Sequence, residues 1–550
     1  MERSNLCIEI ATISCMEKLR CESDWTMLEK RGVTLKNQKH CFQLAIKNKQ
    51  FWALYKNRIE VTGDLSSFIS LNVIDCVPAE FTMVGKTDDY YWGGSGVYPD
   101  VIRAYKNGDI LLPPNGTKCL WISVKPKTEL PVGVHKIVFK IFDAEDKLMG
   151  ETEYELEVLD ACIERSSIKK TNWVHYDSIC NAHNVEPFTP AFYDIFEQYL
   201  AAYTHSGFNM LLTPLFTPPL DTYVGGERMT VQLVDVERKN GKYEFDFSKL
   251  KAFLRFVLVR GIEYIEFSHL FTQWGGEHCP KIMAMEQGEY KKIFGWESNS
   301  CGEEYKAFLD TFLPALVAFV QEEDLEQKCC FHITDEPHAK HLAHYKQCNE
   351  IVKKNIGEIP TMDAISHFEY CEQGLVDVPV VVISSIEPFL KNNIKNTMAY
   401  YCCEPTDRYY SNRFLNMPLQ RTRILGCQLY QTGVTGFLHW GFNFYNSGLS
   451  YSTINPYAVT NAGGAFPPGD CFIVYPNENG VNLSMRSESI RMGFEDYDLL
   501  YTLEQKVGRE KVQAMLEIEG IVGYTQYPRD AVWHTDFITK LKRRLANASL

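Results

Sequence analysis

Nowhere in its 550 residues does this chain carry an apolar run near the roughly 20 residues that a membrane span requires. It also lacks an excess of positive charge. Seventy acidic residues against 56 basic ones leave a net charge of −14, which argues against nucleic acid or an anionic membrane as the main partner. No C-x-x-C spacing occurs among eighteen cysteines, so a zinc ribbon or a thioredoxin-type site is not expected. The amino terminus, Met1-Glu2-Arg3-Ser4-Asn5-Leu6-Cys7, has no basic-then-apolar leader, and Glu9 interrupts the one candidate run. So many cysteines without a leader point to a reducing, cytoplasmic compartment, where the sequons at Asn115, Asn482 and Asn547 carry no weight. No segment is compositionally biased, so the chain reads as globular. Its length calls for two or three domains, and a homo-oligomer is compatible with it.

What is present falls into two parts. Up to about residue 160 the pattern is β-rich. Lys118 to Val124, Lys136 to Phe142 and Thr152 to Val158 read as strands, and Pro131-Val132-Gly133 as a turn between the first two. Short alternating strands of this kind predict an antiparallel β-sandwich over residues 1–163. From about residue 165 the pattern alternates strand with helix. Strands are expected near 173–177, 209–215, 264–270, 329–334, 360–365, 378–384, 398–403 and 436–440, with amphipathic segments such as 192–203, 250–259 and 308–320 between them. Eight strands in ~280 residues match a (β/α)8 TIM-like barrel. That gives an α/β fold with the barrel as catalytic domain over 164–550, its C-terminal helices from Ile490 onward covering the outside.

The most telling residues are Thr334-Asp335-Glu336-Pro337. They close the apolar run Cys329 to Ile333 and open a helical stretch, which puts two adjacent carboxylates at the carboxyl end of the fourth strand. Catalytic side chains gather at that end of a barrel. Like charges so close resist joint ionisation, so one acid of the pair is pushed toward its protonated form. Other strand ends carry groups suited to a sugar pocket: Asp177, Thr213, His269, Trp274, Tyr401, Glu404, His439, Trp440 and Asn443. Their recurrence at one edge of the barrel argues for a site. His338, His341 and His344 follow the acid pair at three-residue spacing. Without an H-E-x-x-H or similar ligand set they read as a polar helix face, so neither a metal nor a cofactor is expected.

The acid-pair strand end, the segment Gly436-Phe437-Leu438-His439-Trp440-Gly441-Phe442-Asn443 and the tail Arg491-Met492-Gly493-Phe494-Glu495-Asp496-Tyr497-Asp498 together resemble glycoside hydrolase family 123. The resemblance spans roughly residues 165–505, and a preceding β-sandwich suits that family's architecture. It implies a β-N-acetylgalactosaminidase acting on an oligosaccharide or glycoside by substrate assistance. The sugar's own 2-acetamido oxygen attacks the anomeric carbon to form an oxazolinium intermediate, so no enzyme nucleophile is needed. Glu336 would be the general acid and then the base. Asp335 would stay ionised and hold the acetamido N–H. By their position at the strand ends, and not from the resemblance, Tyr401 would donate to the acetamido oxygen, Trp440 would floor the ring and Asn443 would meet a hydroxyl, with His269, Trp274, His439 and Glu404 as further contacts. Neighbours on a regular strand point to opposite faces, so both acids reach one sugar only if the strand ends or bulges at the pair.

Two rival readings share the barrel. Clan A retaining glycosidases place Asn-Glu-Pro at the fourth strand and a glutamate nucleophile at the seventh. Here Glu336 would pair with Glu404 in Cys402-Cys403-Glu404-Pro405, at the ~5 Å that retention demands. The other rival is a catalytically silent carbohydrate-binding barrel.

Overall fold

The computed structural model describes residues 7–80 and 95–548, so the reading of Met1 through Leu6 lies outside the described residues. Contacts divide the chain into two compact units. Unit 1 joins Met1–Ser167, Asp407–Gln431 and Asn482–Leu550, and unit 2 joins Ile168–Thr406 and Thr432–Val481.

Unit 2 contains eight parallel strands: β1 (Lys169–Asn172), β2 (Met210–Thr213), β3 (Tyr264–Phe267), β4 (Cys329–Phe331), β5 (Met362–Ile365), β6 (Val378–Val382), β7 (Met398–Tyr400) and β8 (Gly436–His439). Their order in the sheet is β4-β3-β2-β1-β8-β7-β6-β5. A parallel bridge between Phe331 and Thr361 joins the two remaining edges, which makes the sheet a nearly closed barrel. Met210 and Leu212, Met362 and Ala364, Val378, Val380 and Val382, Met398 and Tyr400, and Leu438 share one apolar cluster. These positions lie two apart along each strand, as alternation of side chains requires.

Seven strands fall where their sequence pattern puts them. The first lies earlier than expected, at Lys169–Asn172, and residues 176–183 form a helix instead. Lys-Lys-Thr-Asn looks solvent-facing, but the barrel supplies partners for it. Lys170 N donates to Asn209 Oδ1 at 2.8 Å, Thr171 Oγ1 donates to Glu266, and Asn172 N donates to the Tyr203 hydroxyl at 3.0 Å. The helical ring is also less regular than a full (β/α)8 set. Long helices follow β1 (Pro190–His205), β3 (Glu303–Glu322) and β4 (Leu342–Ile356). After β5 and β6 there is little more than one turn each, Glu369–Glu372 and Glu387–Lys391, because strands β5 to β7 follow one another too closely in the chain.

In unit 1, Ile8–Ser14, His40–Asn48, Thr117–Val124, Ile69–Ala79 and Gly96–Ala104 pair antiparallel in that order. A second sheet runs Arg31–Leu35, Leu148–Leu159, Gly133–Phe142, Arg58–Thr62. Phe42, Leu44, Leu120 and Ile122 of the first share a core with Ile59, Ile137, Phe139 and Leu156 of the second.

The C-terminal helices differ from the sequence boundary, which gave them to the barrel: they belong to unit 1. The reason lies in the helix Met485–Val507. Arg486 forms a fully buried ion pair with Asp100 at 2.8 Å, and Arg423 grips both carboxylate oxygens of Asp496 at 2.7 and 2.9 Å. Asp498 accepts the Ser166 backbone N–H at 3.0 Å. The tail motif is thus a structural clamp. Its glycine allows the closest approach: a Cβ on Gly493 would lie 2.5 Å from the Arg423 carbonyl oxygen, and one on Gly426 would lie 1.7 Å from the Gly493 oxygen. No helix among the described residues is long and apolar enough to cross a membrane. Because backbone cannot yield as a side-chain tip can, Gly426→Ala should lower stability by about 1–3 kcal/mol in urea unfolding. An unchanged midpoint would show that the two segments separate without cost.

Candidate active site

Strand β4 ends at Phe331, and the chain bends at Asp335 and Glu336. Glu336 adopts φ of 43°, in the left-handed region, a conformation that costs about 1 kcal/mol or more in a residue other than glycine. The break in strand geometry lets consecutive acids line the same cleft. That cleft encloses about 610 Å³, counting its open mouth, and is lined by Asp335, Glu336, Asp221, Tyr400 and the indoles of Trp173, Trp274 and Trp440, among others. A larger cavity in unit 1, about 1800 Å³ counted the same way, lies among Lys39, His40, Glu155, Glu157 and Lys542. Its carboxylates do not stand at the ends of barrel strands; the adjacent acids Asp335 and Glu336 line the smaller cleft.

Each wall comes from a strand end. Trp173 follows β1, Asp221 follows β2, Gln273 and Trp274 follow β3, and Trp440 follows β8. The Trp274 backbone N–H donates to the Asp335 carbonyl at 2.7 Å, which ties that wall to the acid pair. Trp440 Nε1 donates to Asp470 at 3.0 Å, fixing its indole. The Tyr400 hydroxyl donates to Glu336 Oε1 at 2.7 Å and so orients that carboxylate.

Beneath the pair lies a buried charge network. His332 Nε2 stands 2.9 Å from Glu266 Oε2 and its Nδ1 3.5 Å from Asp363 Oδ1, with all three side chains fully buried. Burial alone would push the imidazole down, but Asp363 and Glu266 outweigh it and raise it to about 9. Asp363 is held in turn by the Tyr345 hydroxyl at 2.5 Å and the Ile333 N–H at 2.9 Å, and Glu266 by Trp173 Nε1 at 3.2 Å. Above this network, burial and then the charge of Glu336 raise Asp335 well above the usual carboxylate range, while His332 pulls the other way. Burial also lifts Asp221 to about 6.

The expected site residues divide. Asp335, Glu336, Trp274 and Trp440 meet in the cleft. Five others are displaced from it. Tyr401 is fully buried on the far side of its strand, against Phe437 and His439 at 5.0 and 5.5 Å. His439 is likewise fully buried, 3.3 Å from Asp470. Asn443 clamps the backbone of His175, accepting at 2.9 Å and donating at 3.0 Å. Glu404 is exposed and does not line the cleft, which leaves the two-carboxylate pairing with Glu336 without its partner. His269 stacks on His332 at 4.3 Å, and burial drives it well below the ordinary imidazole range. Neither of its ring nitrogens has a hydrogen-bond partner among the described residues.

Tyr400 and Asp221 are the functional candidates that the sequence reading missed. For Tyr400 the signal was present: Met398 and Tyr400 alternate into the barrel interior while Ala399 and Tyr401 face out. Asp221 sits in a loop after Pro218-Pro219-Leu220 with no periodic cue.

The raised Asp335 links stability to pH. Its unfolded pKa is near 3.9, so in the fold its ionisation costs stability that is lost progressively as pH climbs from there toward the raised value. Asp335→Asn removes that cost. Thermal melts should show the variant gaining on the parent above about pH 4, with the gain absent below it. A constant difference at all pH values would contradict the assignment.

Comparisons agree with the geometry. The catalytic-domain model of glycoside hydrolase 123 matches residues 173–503. Among solved structures, a family 123 glycoside hydrolase from Clostridium perfringens aligns with a TM-score of 0.74 at 15% identity, over 98% of this chain and 97% of that one. A putative beta-galactosidase from Bacteroides fragilis follows at 0.32 and 11% identity, over 90% and 61% of the two chains. No curated protein is matched. With more than half its length inside that catalytic model, the chain belongs to glycoside hydrolase family 123.

Proposed function

We propose that this glycoside hydrolase removes β-linked N-acetylgalactosamine, or another 2-acetamido sugar, by a substrate-assisted retaining route through an oxazolinium intermediate. The observation that carries the reading is the pairing of Asp335 with Glu336 in one indole-walled cleft, with no other carboxylate placed to act as nucleophile among its lining residues except the more distant-in-sequence Asp221. The study of the Clostridium perfringens enzyme concerns glycolipid glycan hydrolysis, so glycans of that class are the proposed substrates.

The proton inventory supports these roles. Burial and the charge of Glu336 favour the protonated form of Asp335. A bound sugar reverses the preference, because its acetamido N–H donates to Asp335 and favours the carboxylate. The glycosidic oxygen in turn takes its proton from Glu336. One proton thus moves across the pair, leaving an ionised Asp335 to offset the oxazolinium charge and a protonated Glu336 to release the aglycone. Glu336 then takes a proton from the water that opens the ring. Tyr400, rather than Tyr401, is the phenol positioned to steer Glu336. Trp274 and Trp440 are the stacking surfaces. The apolar core shared by the two unit 1 sheets supports the β-sandwich reading. Eighteen cysteines, none in a disulfide among the described residues, suit a reducing compartment.

An aryl β-N-acetylgalactosaminide should be cleaved and the plain β-galactoside left intact, with a thiazoline mimic of the intermediate inhibiting. Asp335→Asn and Glu336→Gln should each reduce kcat/KM by roughly 10²–10⁴-fold, and Glu404→Gln should leave it within about twofold. The parent's kcat/KM should fall on the alkaline side as the shared proton is lost. Equal cleavage of both glycosides, or loss of activity in Glu404→Gln, would overturn the proposal. Absence of turnover on the whole aryl glycoside panel would favour the silent binding barrel.

A further inference from the structure

The three histidines after the acid pair lack ligand partners in the sequence, but the fold supplies them for one. His344 and Cys348 stand one turn apart on the helix Leu342–Ile356, so both face the same way. Cys301, in the turn that leads into the helix Glu303–Glu322, meets them there. The ligand atoms of all three lie within 4.8 Å of one another. Cys301 Sγ is 3.9 Å from Cys348 Sγ and 3.9 Å from His344 Nε2. The Gly276 carbonyl oxygen completes the set, 3.1 Å from His344 Nε2 and 3.9 Å from Cys348 Sγ.

These separations approximate the edges of a tetrahedron around a zinc ion. Zinc–sulfur bonds of about 2.3 Å and zinc–nitrogen bonds of about 2.0 Å put two sulfurs about 3.8 Å apart and sulfur about 3.5 Å from nitrogen. The four edges given lie within about half an ångström of those values. Two soft thiolates with an imidazole select zinc over magnesium or calcium. Cys301 and His344 are half-buried, which leaves an entry path, while Cys348 is buried.

We propose that Cys301, His344 and Cys348 bind one divalent transition-metal ion, zinc by preference, with the Gly276 carbonyl or a water in the fourth position. Binding displaces the two thiol protons to solvent, and no redox step is involved. The site also has a structural reach. Gly275 and Gly276 both take positive φ, 118° and 77°, in the loop that carries Trp274, and Trp274 is the residue whose backbone N–H holds the Asp335 carbonyl. The ion would fasten that loop to two helices at a point outside the cleft. It is a positioning device for the indole wall, and its existence does not depend on which sugar the cleft takes.

The test uses the full chain, reduced with a non-thiol reductant, stripped by a chelator and titrated with Co²⁺. The expected result is about one equivalent bound, with intense thiolate-to-cobalt charge-transfer absorption that Zn²⁺ abolishes, and a higher melting temperature in the zinc-loaded protein. Cys301→Ser and His344→Ala should each lose the band and weaken zinc retention at least ~10-fold, whereas Cys371→Ser, a half-buried cysteine elsewhere, should keep both. Cys348→Ser is the harsher variant because its side chain is buried, so the half-buried Cys301 carries the decision, with circular dichroism as the check on folding. Absence of the band, or a band of equal strength in Cys301→Ser and His344→Ala, would overturn the proposal.

Discussion

The site rests on one buried cation. His332, directly after β4, lies between Glu266 of β3 and Asp363 of β5, so its charge joins three neighbouring strands at the level where the acid pair begins. A charge with no access to water is tolerated only when it is paired and hydrogen-bonded. Here the pairing extends outward through Trp173, Tyr345 and the Ile333 N–H. The same network that fixes the barrel mouth also sets the electrostatic floor under Asp335. Without that cation, Asp335 would face the buried carboxyl of Asp363 with nothing to offset it.

Most of the barrel was legible from periodicity. Apolar runs of β-branched residues such as Val378–Val382 need no tertiary context to read as buried strands. β1 was not legible, because its polar residues are satisfied by Asn209, Glu266 and Tyr203, partners that only folding brings together. The acid pair was legible as a strand end, and the left-handed Glu336 resolves how neighbours share a cleft. The substrate-binding candidates fared according to parity. Trp440 lies on the interior side with Leu438, whereas His439 and Tyr401 pack against each other behind the wall. Applying the two-residue period to the strand ends themselves would have exchanged Tyr401 for Tyr400.

The tail motif is informative in a different way. It helped to identify the family, yet its residues are nowhere in the cleft. Arg491 pairs with Glu488, Asp496 with Arg423, and Gly493 admits the backbone of a neighbouring segment. Buried ion pairs and backbone approaches that leave no room for a Cβ restrict a sequence as tightly as catalysis does, since one unmatched charge there is as damaging as a missing acid. A recognisable motif can therefore mark the frame of an enzyme rather than its chemistry.

Unit 1 is assembled from three stretches of chain, the last of which, Asn482–Leu550, leaves the ribosome after every strand of the barrel. Asp100 is synthesised hundreds of residues before the Arg486 that neutralises it in the core. The amino-terminal sheets must therefore wait, incomplete, while the barrel is made. Vectorial folding of one domain after another is closed to this topology, and neither unit can be excised as a continuous fragment.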